Sequence, residues 1–210
     1  MTTIIPTFRP DGSLMNLAQP VEGDIHWPTI AGALSKIARF NGFHSGPMLS
    51  VAQHCVMGAD ALANETGNHT LAGFFLVHDA HEAFVGDWTR PSVALLSGAL
   101  GELYEIPAHC ARNAVHLVKS RIDAQIFAKA GLPVVGAPDL PDKVRDMDER
   151  MLRAETLALF GKKGLSNLNV PELPMPKLTG AIKPWAPMKA EEAWLSRLSR
   201  YLGIDWRAAA

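Results

Sequence analysis

The segment from Thr70 to Phe84 limits the fold more than any other part of this chain. It reads as a helix that is apolar over most of its circumference, and such a helix must be packed on most sides. Inside it, within "FFLVHDAHEAFVGD", sits the adjacent pair His78-Asp79. Burying an ionised carboxylate beside an imidazole costs several kcal/mol unless a cation or hydrogen bonds compensate. A satisfied core hydrogen-bond pair is one solution, and a divalent metal ion is the other.

Other helices are legible around this one. Ile30, Ala33, Leu34 and Ile37 recur at helical spacing, with Pro28 suited to a first turn and Gly42 to a stop. Ser50 opens a second helix, expected to reach about Asn64, because "SVAQ" has the spacing of a capping box. A shorter helix starts at Arg90-Pro91 and runs toward Leu100. Longer ones cover about Ala108 to Ala130 and Asp142 to Phe160, closed by Gly131 and Gly161. The last, near Lys189 to Leu202, puts Trp194, Leu195, Leu198, Tyr201 and Leu202 on one stripe that suits core or subunit contact. Residues 1–22 read as an extended arm, 23–162 as the central domain, and 163–210 as a Pro-rich connection with a C-terminal helix packed on it. No run of alternating strands stands out. The expected fold class is all-α, a compact bundle of about six or seven helices.

Composition narrows the partners. A formal net charge of −1 gives no global attraction to a nucleic-acid polymer or to anionic lipid. The most apolar stretch falls far short of the ~20 residues that cross a bilayer, and the N-terminus lacks a signal-peptide pattern. No membrane partner is expected, and the cytoplasm is the expected location. Cys55 and Cys110 lack C-x-x-C spacing and read as buried thiols. A small phosphorylated ligand would have to be caught by a local cationic or metal site.

Such a site can be assembled from three helices. His54 lies one turn into the second helix and Asp148 in the sixth, and with His78 and Asp79 they form a mixed nitrogen and oxygen set. Asp146 is the next candidate after Asp148. This set suits one divalent ion among Mn, Co, Fe, Ni, Zn and, less well, Mg. Glu82 follows His78 by four residues and Asp79 by three, which places it on the same helical face. Asp87 follows just after Gly86. Two acids beside a metal can activate a water and protonate a leaving oxygen.

The ordered pieces "ALSKIARFNG", "SVAQHC", "HDAHEAFVGDWTRP" and "DERMLRAE" resemble the HD-domain phosphohydrolases, in the bacterial and phage branch similar to 5′-deoxynucleotidases. They run from about Ala33 to Glu155, over half the chain. The resemblance implies His54, His78, Asp79 and Asp148 as metal ligands, with Glu82 and Asp87 as the catalytic acidic pair. It implies Arg39 as the phosphate-holding arginine and Phe40 as the aromatic near the sugar, where tryptophan is usual. The implied activity is metal-dependent hydrolysis of a (deoxy)nucleoside 5′-monophosphate, with the small nucleotide as partner; similar proteins are often homodimers.

Three rivals share parts of this pattern. A nucleoside triphosphohydrolase would need more cations, for which Lys36, Arg90 and Lys143 are candidates. A di-iron oxygenase would need further histidines, of which His81 and His44 are conceivable. A non-catalytic nucleotide-binding module would dispense with Glu82 and Asp87. His81 otherwise reads as a helix-surface or outer residue, and His44 as a loop histidine that could reach a phosphate.

Overall fold

The structure, a computed structural model, describes residues 4–133, 141–170 and 172–208. Among these are seven helices of eight residues or more, one short helix, two short 3-10 helices and a two-stranded hairpin, so the fold is mostly α.

The N-terminal segment differs from the expected arm. Strands β1 (Pro6–Phe8) and β2 (Leu14–Asn16) pair antiparallel, closed by a turn in which Asp11 accepts from the Ser13 backbone and hydroxyl. Three-residue strands are too short to show alternation, so only the turn residues could have announced the hairpin.

Helix α1 (Trp27–Leu34) stops earlier than its apolar spacing suggests. Ser35 turns back on Gly32 through its hydroxyl, and the chain passes through Ala38, bridged to Ser50, into a 3-10 turn at Arg39–Gly42. Helix α2 (Val51–Thr66) begins where expected, with the Ser50 hydroxyl accepting from the Gln53 N–H. Gln53 does not complete the box. Its amide instead donates to the Lys183 carbonyl and accepts from the Trp185 N–H, pinning the Pro-rich connection to α2.

Helix α3 (His69–Val77) is buried from Ala72 to Val77 and ends at His78, not at Phe84. A tight turn carries Asp79 and Ala80, and the short α4 (Glu82–Val85) follows. Helices α5 (Arg90–Tyr104) and α6 (His109–Lys129) form a hairpin, and α5 has no buried residue. Helix α7 (Asp142–Asn167) continues past Gly161, where the backbone breaks at φ 67°, and α8 (Pro187–Leu202) closes with Gly203.

The core lies where α2 and α3 meet, with α8 across both. The contact is close enough that a Cβ on Gly58 would stand 2.1 Å from the Phe75 ring. Trp194 on α8 is fully buried and donates its indole N–H to the Leu76 carbonyl at 3.0 Å. The C-terminal stripe is therefore core. Arg150 on α7 grips Glu65 at the end of α2 with two hydrogen bonds of 2.8 and 2.7 Å and also reaches the Pro174 and Met175 carbonyls. Cys55 is buried, Cys110 half-buried, and both are free thiols. No helix among the described residues is long and apolar enough to cross a membrane.

Candidate metal centre

The break after α3 builds the site. The His78 ring donates from Nδ1 to the Phe75 carbonyl at 2.6 Å, the acceptor that a continuing α-helix would offer to the Asp79 N–H. The chain tightens into i→i−3 bonds from Ala80 to Val77 and from Glu82 to Asp79. Asp79 thus swings beside the imidazole that precedes it. The sequence reading placed Glu82 on one continuous helix with His78; the structure places it on α4, across this turn.

His54 faces His78 from α2, with ring centroids 5.4 Å apart. Its Nδ1 donates to Glu155 Oε1 at 2.7 Å, and Glu155 is fully buried on α7. Both rings are therefore fixed through Nδ1, and both Nε2 atoms are buried without a hydrogen-bond partner. Asp148 Oδ1 lies 3.3 Å from His54 Nε2 and 3.8 Å from His78 Nε2, short of hydrogen-bond geometry. Asp79 Oδ2 lies 3.9 and 3.2 Å from the same two atoms. An orphaned buried ring nitrogen costs about 1–3 kcal/mol. Two of them converging with two carboxylates is the arrangement a divalent cation satisfies, and fixing Nδ1 elsewhere is how metal-ligating histidines are held.

The protonation states follow from the crowding. Burial opposes the imidazolium form of His78, but Asp79 and Asp148 overcome it and hold its pKa well above the usual histidine range. Asp148 is held well below the carboxylate range: burial alone would raise it, but His54 and His78 win. A cation entering here displaces protons from the rings. Glu82 behaves oppositely. Burial, then the charges of Asp79 and Asp87, push it up to about 9, and its Oε2 is another buried atom without a partner. Asp87 is also raised, first by its own burial.

Arg39, Phe40, Asp79, Glu82, Asp87 and Asp148 line one cavity of about 590 Å³, with His54 and His78 behind the two aspartates. That volume is in the range of small-molecule sites. All eight expected site residues thus meet in one place. Arg39 is not at a helix end as expected but on the 3-10 turn, where it donates to Glu155 Oε2 at 3.2 Å and stands 3.8 Å from Asp79. Phe40 has φ 55°, an uncommon conformation for a residue with a side chain, and stacks edge-on against Phe160 at 5.3 Å. Asp146 is half-exposed and turns to Arg150 at 3.6 Å, which leaves Asp148 as the ligand-facing acid of α7.

Two of the lesser candidates are also settled. His81 is buried, not on a helix surface; its Nδ1 bonds Asp123 on α6 at 2.9 Å. With Asp79 and Glu82 it forms a second grouping that could hold an ion, and Cys55 with His78 and Asp79 forms a third. Burial pushes the Cys55 thiol up to about 11, so it stays protonated and is the poorest of these ligands. His44 packs near Phe160 and does not line the cavity.

The sequence reading gave no role to Glu155, Trp88, Lys119, Phe160 or Asp123. Glu155 had a signal, since it follows Asp148 by seven residues, two turns along one helical face. Trp88 directly follows Asp87 and Phe160 lies further along α7, while Lys119 and Asp123 come from α6. The chain matches none of the protein-family models scanned, and no curated protein matches it.

Proposed function

We propose that this chain is a metal-dependent phosphohydrolase of the HD-domain type, releasing phosphate from a (deoxy)nucleoside 5′-monophosphate. The observation that carries this is the pair of buried, unpartnered Nε2 atoms of His54 and His78, converging with Asp79 and Asp148 at the wall of a nucleotide-sized cavity. One ion among Mn, Co, Fe, Ni, Zn and Mg fits those four residues. When bound, such a cation supplies Lewis-acid charge and makes hydroxide available near neutral pH.

The protein's own groups divide the remaining work. Glu82, pushed up to about 9 by burial and by Asp79, holds a proton at neutral pH and can pass it to or from a water in the cavity. Asp87, also raised by its burial, stands at the same wall to give a proton to the departing nucleoside oxygen. Arg39 brings a permanent positive charge to the phosphoryl group, held in place by Glu155. Phe40 and Phe160 offer an aromatic corner to the sugar.

A triphosphohydrolase is the second reading, and the cavity favours it only in part. Arg90 and Lys119 line the cavity, but Lys36 and Lys143 do not. The deciding experiment is a nucleotide panel across several divalent metals. Inorganic phosphate from monophosphates supports the first reading; triphosphate released intact from nucleoside triphosphates supports the second.

A further inference from the structure

Beside the metal cavity lies a second, larger groove of about 1200 Å³ between α5 and α6, and Trp88, Arg90 and Lys119 line both. Its charged wall is of one sign: Arg90, Arg112 and Lys119, with His109 and His116 among them and no carboxylate among the described residues. On α6, His109, Arg112, His116 and Lys119 follow at intervals of three, four and three residues, which puts all four on one helical face. At ~1.5 Å of rise per residue the stripe is about 15 Å long. Arg90 is engaged by Glu149, whereas Arg112 forms no ion pair among the described residues. Lys119, at the inner end, faces the Glu82 and Asp87 carboxyls and lowers the pKa of both.

The opposite wall is small and mostly apolar, formed by Val93, Ala94, Gly98 and Gly101 of α5, with the Ser97 hydroxyl turned to the Ala108 carbonyl and open space above Gly98. Trp88 stands where the two cavities meet. Its indole N–H is tied to the Val85 carbonyl at 3.0 Å, while the residue remains 39% exposed. Two α6 cations in line, Arg112 and Lys119, with imidazole hydrogen-bonding groups on the same stripe and an aromatic side chain at one end, complement a single nucleic-acid strand, which presents phosphates on one edge and sugars and bases on the other. A polyphosphate tail would be served by polar walls throughout. The stripe is also longer than three linked phosphates; it can follow successive phosphodiesters, each advancing a helical strand by roughly 3.4 Å.

We propose that the α5–α6 groove holds the sugar–phosphate chain of a short single-stranded oligonucleotide whose terminal phosphate monoester enters the metal cavity. This rests on the phosphohydrolase reading and extends its substrate from a mononucleotide to the end of a strand. The chemistry balances as before. The oxygen of water bonds to phosphorus, and the bond from phosphorus to the terminal nucleoside oxygen breaks. That oxygen leaves with a proton, giving inorganic phosphate and a hydroxyl-ended strand. The net charge of −1 does not oppose this, because Arg112 and Lys119 share one face of α6 and no carboxylate lines the groove among the described residues.

The test uses a 5′-phosphorylated thymidylate tetramer carrying a 3′-fluorescein, with thymidine 5′-monophosphate as comparator. Binding is read by anisotropy and turnover by phosphate release, for the full chain and for its Arg112→Glu variant. The tetramer should bind roughly tenfold more tightly than the monophosphate, and Arg112→Glu should lower the tetramer-to-monophosphate ratio of kcat/KM roughly tenfold. The slope of log affinity against log salt should fall by about 0.7 for each phosphate that the variant no longer neutralises. Arg112-dependent tetramer binding without phosphate release from either substrate would uphold the groove and reject the hydrolase. Turnover of the monophosphate, with the tetramer bound no better or bound equally by the variant, overturns the groove. So does an Arg112-dependence seen with thymidine triphosphate but not with the tetramer, or a groove closed by self-association at assay concentration.

Discussion

Glu155 joins His54 to Arg39: one carboxylate oxygen accepts from the His54 Nδ1 at 2.7 Å, the other from the Arg39 Nε at 3.2 Å. The bond fixes the His54 tautomer, so that Nε2 is the atom turned toward Asp79 and Asp148. Outer carboxylates of this kind contribute roughly 10–100-fold to metal affinity. Glu155→Gln should weaken metal binding by that factor, measured by titration against a competing chelator. Unchanged affinity would mean that His54 is oriented by something else.

Arg39 is expected to act on substrate and on stability together. Arg39→Ala should raise KM for every nucleotide, because the cavity loses a cation that borders Asp79 and Asp148. It should also lower thermal stability, since breaking a buried ion pair costs about 3–5 kcal/mol and Glu155 would be left without its cation. A KM that stays at the wild-type value would place the phosphate elsewhere, with Arg90 and Lys119 the nearest alternatives.

Glu82 separates chemistry from binding. Glu82→Gln keeps the size of the protonated side chain but cannot exchange a proton. A group of this type contributes ~10²–10⁴-fold in rate, so kcat should fall by that order while metal content and nucleotide affinity hold. Loss of metal would make Glu82 a ligand through its grouping with Asp79 and His81. A fall below about threefold, measured in single turnover, would remove it from the chemical step.

Acid should weaken the tie between α2 and α7. The Arg150 guanidinium beside Glu65 holds that carboxyl below its ordinary range. A depressed folded-state pKa gives stability that is full above the unfolded value, near 4.3, and is lost as pH falls through the folded value. Arg150→Met should therefore cost about 1–3 kcal/mol at pH 7. The gap between variant and wild type in urea unfolding should narrow below about pH 4, leaving the part due to the Pro174 and Met175 carbonyl bonds.

The helices were legible from apolar spacing and end signals such as Ser50, Gly131 and Gly203, although α1 stops before Gly42 and α7 runs past Gly161. The end of α3 was not. The run through Phe84 keeps a helical pattern, while in the structure the His78 ring takes the Phe75 carbonyl at the point where the helix ends. The hairpin at Pro6–Asn16 was missed because strands of three residues carry no alternation. The eight residues read from the sequence do gather at one cavity. What the sequence did not show was the support around them. Asp123 meets His81 across 42 positions, and no local pattern connects residues so far apart.

The central claim is that four side chains hold one catalytic divalent ion, and metal content per chain tests it most directly. Elemental analysis after loading and desalting should find one ion per chain in the wild type. Loss should follow separately from His54→Ala, His78→Ala, Asp79→Ala and Asp148→Ala, with folding checked by circular dichroism. Equal metal content in wild type and in folded His78→Ala and Asp79→Ala variants would contradict the account.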